Sequence, residues 1–157
     1  MAHLSISLAL LAATASTRLL AAEPSVDPRS AKPPTAALMV KVSGLRNDQG
    51  RVAVALFSSA AAFPKQEKAL RGQLVRISRG RAAVTFRDLA PGTYAVAVLH
   101  DENDNAKMDF NFLGMPLEGY GFSNDAAALF GPPSFGSAAF RLLARPSVVS
   151  ISARYFP

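Results

Sequence analysis

The stretch "VTFRDLAPGTYAVAVLH", residues 84–100, decides the fold. Val84 and Phe86 fall in phase, with Thr85 and Arg87 opposite. Pro91-Gly92 is a strong turn dipeptide and launches the next segment. There Tyr94, Val96, Val98 and His100 line one side. Alternation of this kind marks half-buried antiparallel strands.

The same pattern recurs on both sides. "ALMVKVSG" places Leu38, Val40 and Val42 on one face, and "RVAVALF" does so with Val52, Val54 and Leu56. "QLVRISR" is less regular, with Leu74, Val75 and Ile77. "AAFRLLA" and "SVVSISARY" close the set. "NDQG" before Arg51 and "SRGR" at Ser78–Arg81 read as turns between strands. The second half of Ser58–Gly72 reads as a short helix between Pro64 and Gly72. The expected fold is all-β, an antiparallel sandwich of about seven strands with one long ordered loop.

Upstream, "LSISLALLAATA" has the apolar, small-residue character of a secretory h-region, without Lys or Arg before it. Ala15 and Ala22 are candidate cleavage points; the competing reading is an amphipathic or buried N-terminal helix. The apolar run is too short for a membrane span. Four prolines then mark a linker between Glu23 and Ala36. The expected organisation is a signal peptide over 1–22, a Pro-rich linker over 23–35 and a β-sandwich domain over 36–157. A periplasmic or secreted location follows.

The absence of cysteine excludes disulfides, thiolate nucleophiles and Cys-ligated zinc. Of two histidines, His3 lies in the expected leader, so no site of several His ligands can form. The net charge of +6 hides an asymmetry: six acids against one lysine leave −5 over residues 101–125 and +11 elsewhere. Arg71, Arg76, Arg79, Arg81 and Arg87 crowd one region. They read as a solvated face, or as a patch for anionic lipid or glycan. No aromatic stacking pattern is interleaved with them, and a secreted protein rarely meets nucleic acid, so nucleic acid is not an expected partner.

The segment from Asp101 to Ser137 is long for a compact domain, and such loops are often functional. Seven of the chain's thirteen aromatics fall between Phe110 and Phe140, which argues for an ordered excursion pinned by its rings. Within it, Asp101, Asn103, Asn105 and Asp109 follow the spacing by which a tight loop offers oxygens to a hard cation such as Ca²⁺. Lys107 would supply a carbonyl and Glu118 a closing carboxylate. Three departures stand against the pattern: Ala106 replaces the turn glycine, Phe112 replaces a bidentate glutamate, and Lys107 brings an ammonium group. The competing reading is a set of Asx-turns without metal, with Lys107 as internal counter-ion. Tyr120 and Phe122, if exposed, would offer a ligand-stacking surface.

"VKVSGLRNDQGRVAVALFSS…FP", "VTFRDLAPGTYAVAVLHDENDNAKMDFNFLGMPLEGYGFSNDA" and "FGPPSFGSAAF" together resemble the DUF2141 family of bacterial exported proteins. The resemblance covers roughly residues 36–155. It implies an immunoglobulin-like or transthyretin-like sandwich and names no reaction. The family's typical loop is similar to "HDENGNGKMD"; here Asp104 and Ala106 stand where that pattern has glycines, at positions where a left-handed backbone is at issue.

The leading functional reading is a non-enzymatic binding or accessory domain of the envelope, engaging a protein, peptide or glycan through the acidic loop, with Ca²⁺ as its candidate cofactor. One alternative is a purely structural envelope module. Another is a hydrolase using His100 with Asp101 or Glu118, which requires a cleft at His100. "GPPSFGS" lacks a nucleophile-elbow pattern.

Overall fold

A computed structural model describes residues 34–128 and 131–156. The expected leader over 1–22 and nearly all of the linker over 23–35 lie outside these residues. The described chain forms eight strands: β1 (Ala36–Ser43), β2 (Arg51–Phe57), β3 (Arg71–Arg76), β4 (Ala82–Leu89), β5 (Gly92–Asp101), β6 (Gly119–Phe122), β7 (Phe140–Leu142) and β8 (Ser147–Ser152). They build a two-layer sandwich. One sheet has the order β4-β1-β8; the other runs β3-β2-β5-β6, with β7 also pairing β5. Pairing is antiparallel throughout except between β1 and β8. Those two strands are joined by the rest of the domain, as a parallel pair requires a long connection.

Period-two residues meet between the layers. Leu38, Val40 and Val42 of β1, with Phe86 of β4 and Ile151 of β8 beside them, share one core with Val52, Val54 and Leu56 of β2 and Tyr94, Val96 and Val98 of β5. Each buried Val, Leu or Phe contributes roughly 1.5–3 kcal/mol. The turn signals are tied to one another. Arg79 and Gly80 adopt positive φ between β3 and β4. The Asp48 carboxylate accepts their backbone N–H groups at 2.8 and 2.7 Å. Those N–H groups hold the Asp48 carboxyl below its ordinary range.

A second apolar cluster lies on the outer face of the larger sheet. Ala55 and Phe57 of β2, Ala95 and Ala97 of β5, and Phe122 of β6 are covered by Phe63 and Ala138. Phe63 meets the Phe57, Phe122 and Phe135 rings edge-on, with centroids 5.2, 5.8 and 5.9 Å away. Residues Tyr94 to Asp101 are therefore buried on both faces of β5. The alanines keep that outer face flat enough for the covering loops to approach.

Two local expectations change. The segment before β3 is a single 3-10 turn at Gln66–Lys68 rather than a helix reaching Gly72. Leu70 N–H already pairs with Leu56 C=O and β3 starts at Arg71, so too few residues remain to propagate a helix. The long excursion also contains a strand, β6, whose "GYGF" sequence is too short and glycine-rich to declare itself. At Val96 the edge of β5 passes from β6 to β7, whose pairings end at Ala97 and Tyr94. Ser123 fills the gap: its buried Oγ accepts Val96 N–H at 2.9 Å and donates to Ala138 C=O.

Candidate functional site

The acidic loop leaves the end of β5 with Asp101 fully buried. Its two carboxylate oxygens accept Asn105 N–H at 3.0 Å and Ala106 N–H at 2.8 Å. Asn103 Oδ1 accepts Asn105 N–H, and Asn105 Oδ1 accepts Lys107 N–H. The side-chain amides of Asn103 and Asn105 both donate to Asp109 Oδ2, at 2.7 and 2.9 Å. The spacing read from the sequence thus brings Asp101, Asn103, Asn105 and Asp109 into one set of nested Asx-turns. Asp104 and Ala106 adopt φ of 58° and 61°, the left-handed conformation that glycine takes most easily. For Ala106 this costs about 1–2 kcal/mol, offset by the bond from its N–H to buried Asp101.

Glu118 closes the loop from the far side. It is 4 % exposed, and its oxygens accept Glu102 N–H at 3.0 Å and Asp109 N–H at 3.2 Å. Burial pushes its carboxyl above the ordinary range, against the pull of those two N–H groups. Charge is balanced from β2 and the turn that precedes it. Arg46 grips Glu102 through two nitrogens, one at 2.7 Å, and Asn47 adds a bond at 2.9 Å. This hold keeps the Glu102 carboxyl below its ordinary range. Arg51 bonds Asp104 at 2.6 Å. Among the described residues, Lys107 donates its backbone N–H to Asn105 Oδ1, and the ion pairs to the loop acids come from Arg46 and Arg51.

His100 lies under this loop, 1 % exposed. Its Nε2 meets Gln49 C=O at 2.9 Å and must donate there. Its Nδ1 is then the acceptor for Tyr155 O–H at 2.6 Å. The Tyr155 oxygen also accepts Arg46 N–H, and the Arg46 guanidinium lies 4.7 Å above the Tyr155 ring. Two glycines admit this arrangement. A Cβ at Gly119 would stand 2.5 Å from the Tyr155 ring, and one at Gly50 would stand 1.9 Å from Asp101 C=O. With both nitrogens engaged and no exposed ring atom to speak of, His100 is a buried brace for the loop. His100 does not line the groove at the base of the loop.

Beyond Asp109 the loop becomes a tight hairpin. Leu117 N–H pairs with Asp109 C=O, and Asn111 N–H with Met115 C=O, each at 2.9 Å. Asn111 Oδ1 accepts N–H groups from Leu113 and Met115. This ordered tip holds its apolar side chains in water: Phe110 is 58 %, Phe112 94 %, Leu113 66 % and Leu117 51 % exposed. At its base an open groove of about 490 Å³ is lined by residues that include Arg46, Asn103, Asp109 and Phe156.

Tyr120 and Phe122 sit elsewhere. Phe122 is buried against Phe63, and Tyr120 is half-buried beside it, their ring centroids 6.2 Å apart. Their β6 register, opposite Leu99 and Ala97, turns both rings onto the covered outer face of the sheet. Phe122 therefore offers no stacking surface and Tyr120 a half-covered ring; among the described residues the most exposed rings are Phe110 and Phe112. Arg46, Arg51 and Tyr155 were missed because they reach the loop across 56, 53 and 55 residues, and no local pattern joins them. Among the described residues, no three His, Cys, Asp or Glu side chains gather in metal-ligating geometry. The candidate oxygens are a mixture of carboxylate, carboxamide and carbonyl.

A family model described as "Uncharacterized protein conserved in bacteria (DUF2141)" matches residues 40–150. The chain belongs to the DUF2141 family. That match contains β2 to β7 and the whole acidic loop of this DUF2141 domain. No curated protein matches it. Among solved structures, two determinations of the pilus-presented adhesin Spy0125 (Cpa) and one of its cysteine-to-alanine mutant are similar. They share 15 % or 16 % identity, with 80 % of this chain covered and TM-scores of 0.25 or 0.26. The chain spans 28 % of the length of those adhesin chains. Among the described residues, no helix is long and apolar enough to cross a membrane.

Proposed function

We propose that this DUF2141 domain is an exported, non-catalytic binding module of the bacterial envelope, and that its working surface is the hairpin tip around Phe110–Leu117. One observation carries the reading: four large apolar side chains are held in water on a turn fastened by the N–H groups of Asn111, Leu113, Gly114, Met115 and Leu117. Exposed apolar clusters rimmed by polar groups mark interaction sites. Rigidity reduces the entropy lost on docking, and aromatic anchors dominate binding energy. The partner this chemistry fits is an envelope protein or peptide with an apolar pocket.

Site-specific photo-crosslinking in a bacterium that expresses the full chain tests this. A photoreactive residue at position 112 should yield a discrete adduct with one envelope protein. The same residue at 148, where Val148 is 58 % exposed on β8 and outside the tip, should not. Equal labelling from both positions would sink the proposal.

A second reading adds a cation. It is supported by the convergence of Asp101, Asn103, Asn105 and Asp109 on one turn with two left-handed residues. To receive Ca²⁺, the two asparagine amides would turn their oxygens toward Asp109, and Lys107 would offer its carbonyl. Glu118, already accepting two backbone N–H groups, would act from behind as a support. A cation held only by the folded state raises its stability through mass action. Melting in millimolar Ca²⁺ should then exceed melting in chelator. An unchanged transition removes the cation and leaves the tip proposal standing.

A further inference from the structure

We propose that the outer edge of β3 accepts an extended, acidic segment of a partner protein by strand addition. This goes beyond the hairpin tip and rests on different residues. Among the described residues β3 forms a ladder with β2 alone, from Leu56↔Arg71 to Arg51↔Arg76. Five of its six residues are exposed and the sixth, Val75, is half-buried. Its backbone donors and acceptors on the side away from β2 therefore face outward as a ready template for another strand. The opposite end of the same sheet is treated differently: β6 is closed by a backbone pair between Tyr120 and Arg154, at 2.9 and 2.8 Å.

Charge selects the occupant. β3 carries Arg71 and Arg76; the turn that follows carries Arg79 and Arg81; β4, which ends the other sheet, carries Arg87. Arg71 reaches across to Arg87 C=O at 2.6 Å, which holds a guanidinium between the two end strands. Asp48, the acid at this turn, is engaged with Arg79 and Gly80 N–H groups. A second copy of the chain is a poor fit. Antiparallel pairing of β3 with a second β3 would lay two strands that each carry Arg71 and Arg76 and no acid side by side, and like charges repel. An extended segment with Glu or Asp at those positions reverses the sign. Its alternate apolar residues would find Leu74, 48 % exposed, and a shallow groove of about 270 Å³ floored by Ala53, Ala55 and Gly72. At Gly72 nothing stands in the way of an approaching side chain. The arginines that guard this edge against self-association thus specify an acidic visitor. Main-chain bonds would supply the affinity and the side chains the selectivity.

The test uses the full chain and a fluorescent peptide, Glu-Thr-Val-Thr-Val-Glu, which in antiparallel register sets its acids opposite Arg76 and Arg71 and its valines opposite Leu74 and Gly72; its lysine–valine counterpart carries lysine in place of both glutamates. Anisotropy at low salt should report binding at least about tenfold tighter than for the lysine–valine counterpart. N-methylation of alternate residues along one edge of the peptide should abolish binding, while N-methylation along the other is tolerated, because one edge alone meets β3. The R71E/R76E variant, checked for an unchanged melting temperature, should lose about tenfold in affinity. Phe112→Ala should bind the peptide as wild type does, which separates this site from the tip. Absence of binding, parity with the lysine peptide, or indifference to N-methylation on both edges would overturn the proposal.

Discussion

The excursion between β5 and β7 has two halves held by different forces. From Asp101 to Glu118 it is fastened by polar atoms. Two buried carboxylates accept four backbone N–H groups, and two arginines pair with the acids between them. From Gly119 to Ala138 it is fastened by rings, with Phe122 and Phe135 on Phe63, and Ala138 beneath. Because hydrogen bonds order the first half, its own rings at Phe110 and Phe112 are not needed for packing and stand in water. A loop rigid for polar reasons can display apolar groups; a loop rigid for apolar reasons has to bury them.

The largest expected effect breaks the ring-held half. Phe122→Ala should cost about 3–5 kcal/mol in denaturant unfolding, since it empties a position packed on two rings. Hydrogen exchange should rise across residues 119–128 before it rises at the tip. Asp101→Ala attacks the polar half and should cost about 2–3 kcal/mol, because two backbone donors lose a charged, buried acceptor. In that variant the Asn105 and Ala106 amides should exchange fastest, with those of residues 119–128 still protected. If both substitutions melt both halves equally, the division is wrong.

Acid sharpens the contrast. Glu102 ionises at lower pH in the folded chain than in the unfolded one, mainly through its bonds to Arg46. The unfolded state therefore binds more protons between those two values. The stability Glu102 supplies is complete above the ordinary glutamate range and is lost as pH falls through the lowered one. Glu118 runs the other way: its raised value gives a contribution present in acid and lost as pH climbs past the ordinary range. Glu102→Gln should flatten the acid limb of a stability–pH curve and cost about 1 kcal/mol at neutral pH, a partly exposed pair being worth no more. An unaltered acid limb would place the pH sensitivity outside the loop. The smallest effect is favourable. Ala106→Gly should stabilise by about 0.5–1 kcal/mol, because glycine takes the left-handed conformation without strain. Destabilisation would mean that the turn differs from the one described.

Much of the fold was legible in residues 38–100, where side chains alternate with period two and every expected strand formed. β6 was not, because Gly119 and Gly121 carry no side chain to alternate. Their reason is tertiary: a Cβ at 119 would strike Tyr155, and one at 121 would strike Ile151. The oxygen cluster was legible as well, since Asx-turns join residues two to five apart and such spacings are visible in a chain. Misplacing Tyr120 and Phe122 had a clear physical origin. An aromatic in a glycine-rich stretch gives no sign of which sheet face it will meet until the register of β6 on β5 is known.

The amino-acid order by itself settled what depends on near neighbours: strand periodicity, turn chemistry, the missing thiols, and the gathering of Asp101, Asn103, Asn105 and Asp109. Tertiary structure alone decided what depends on distant ones. It set Arg46 and Tyr155 against Glu102 and His100, it sank one group of rings while leaving another in solvent, and it left β3 at an open edge. The physical reason is that burial and charge pairing act between surfaces brought together only when the two sheets close, and no local pattern encodes which surfaces those will be.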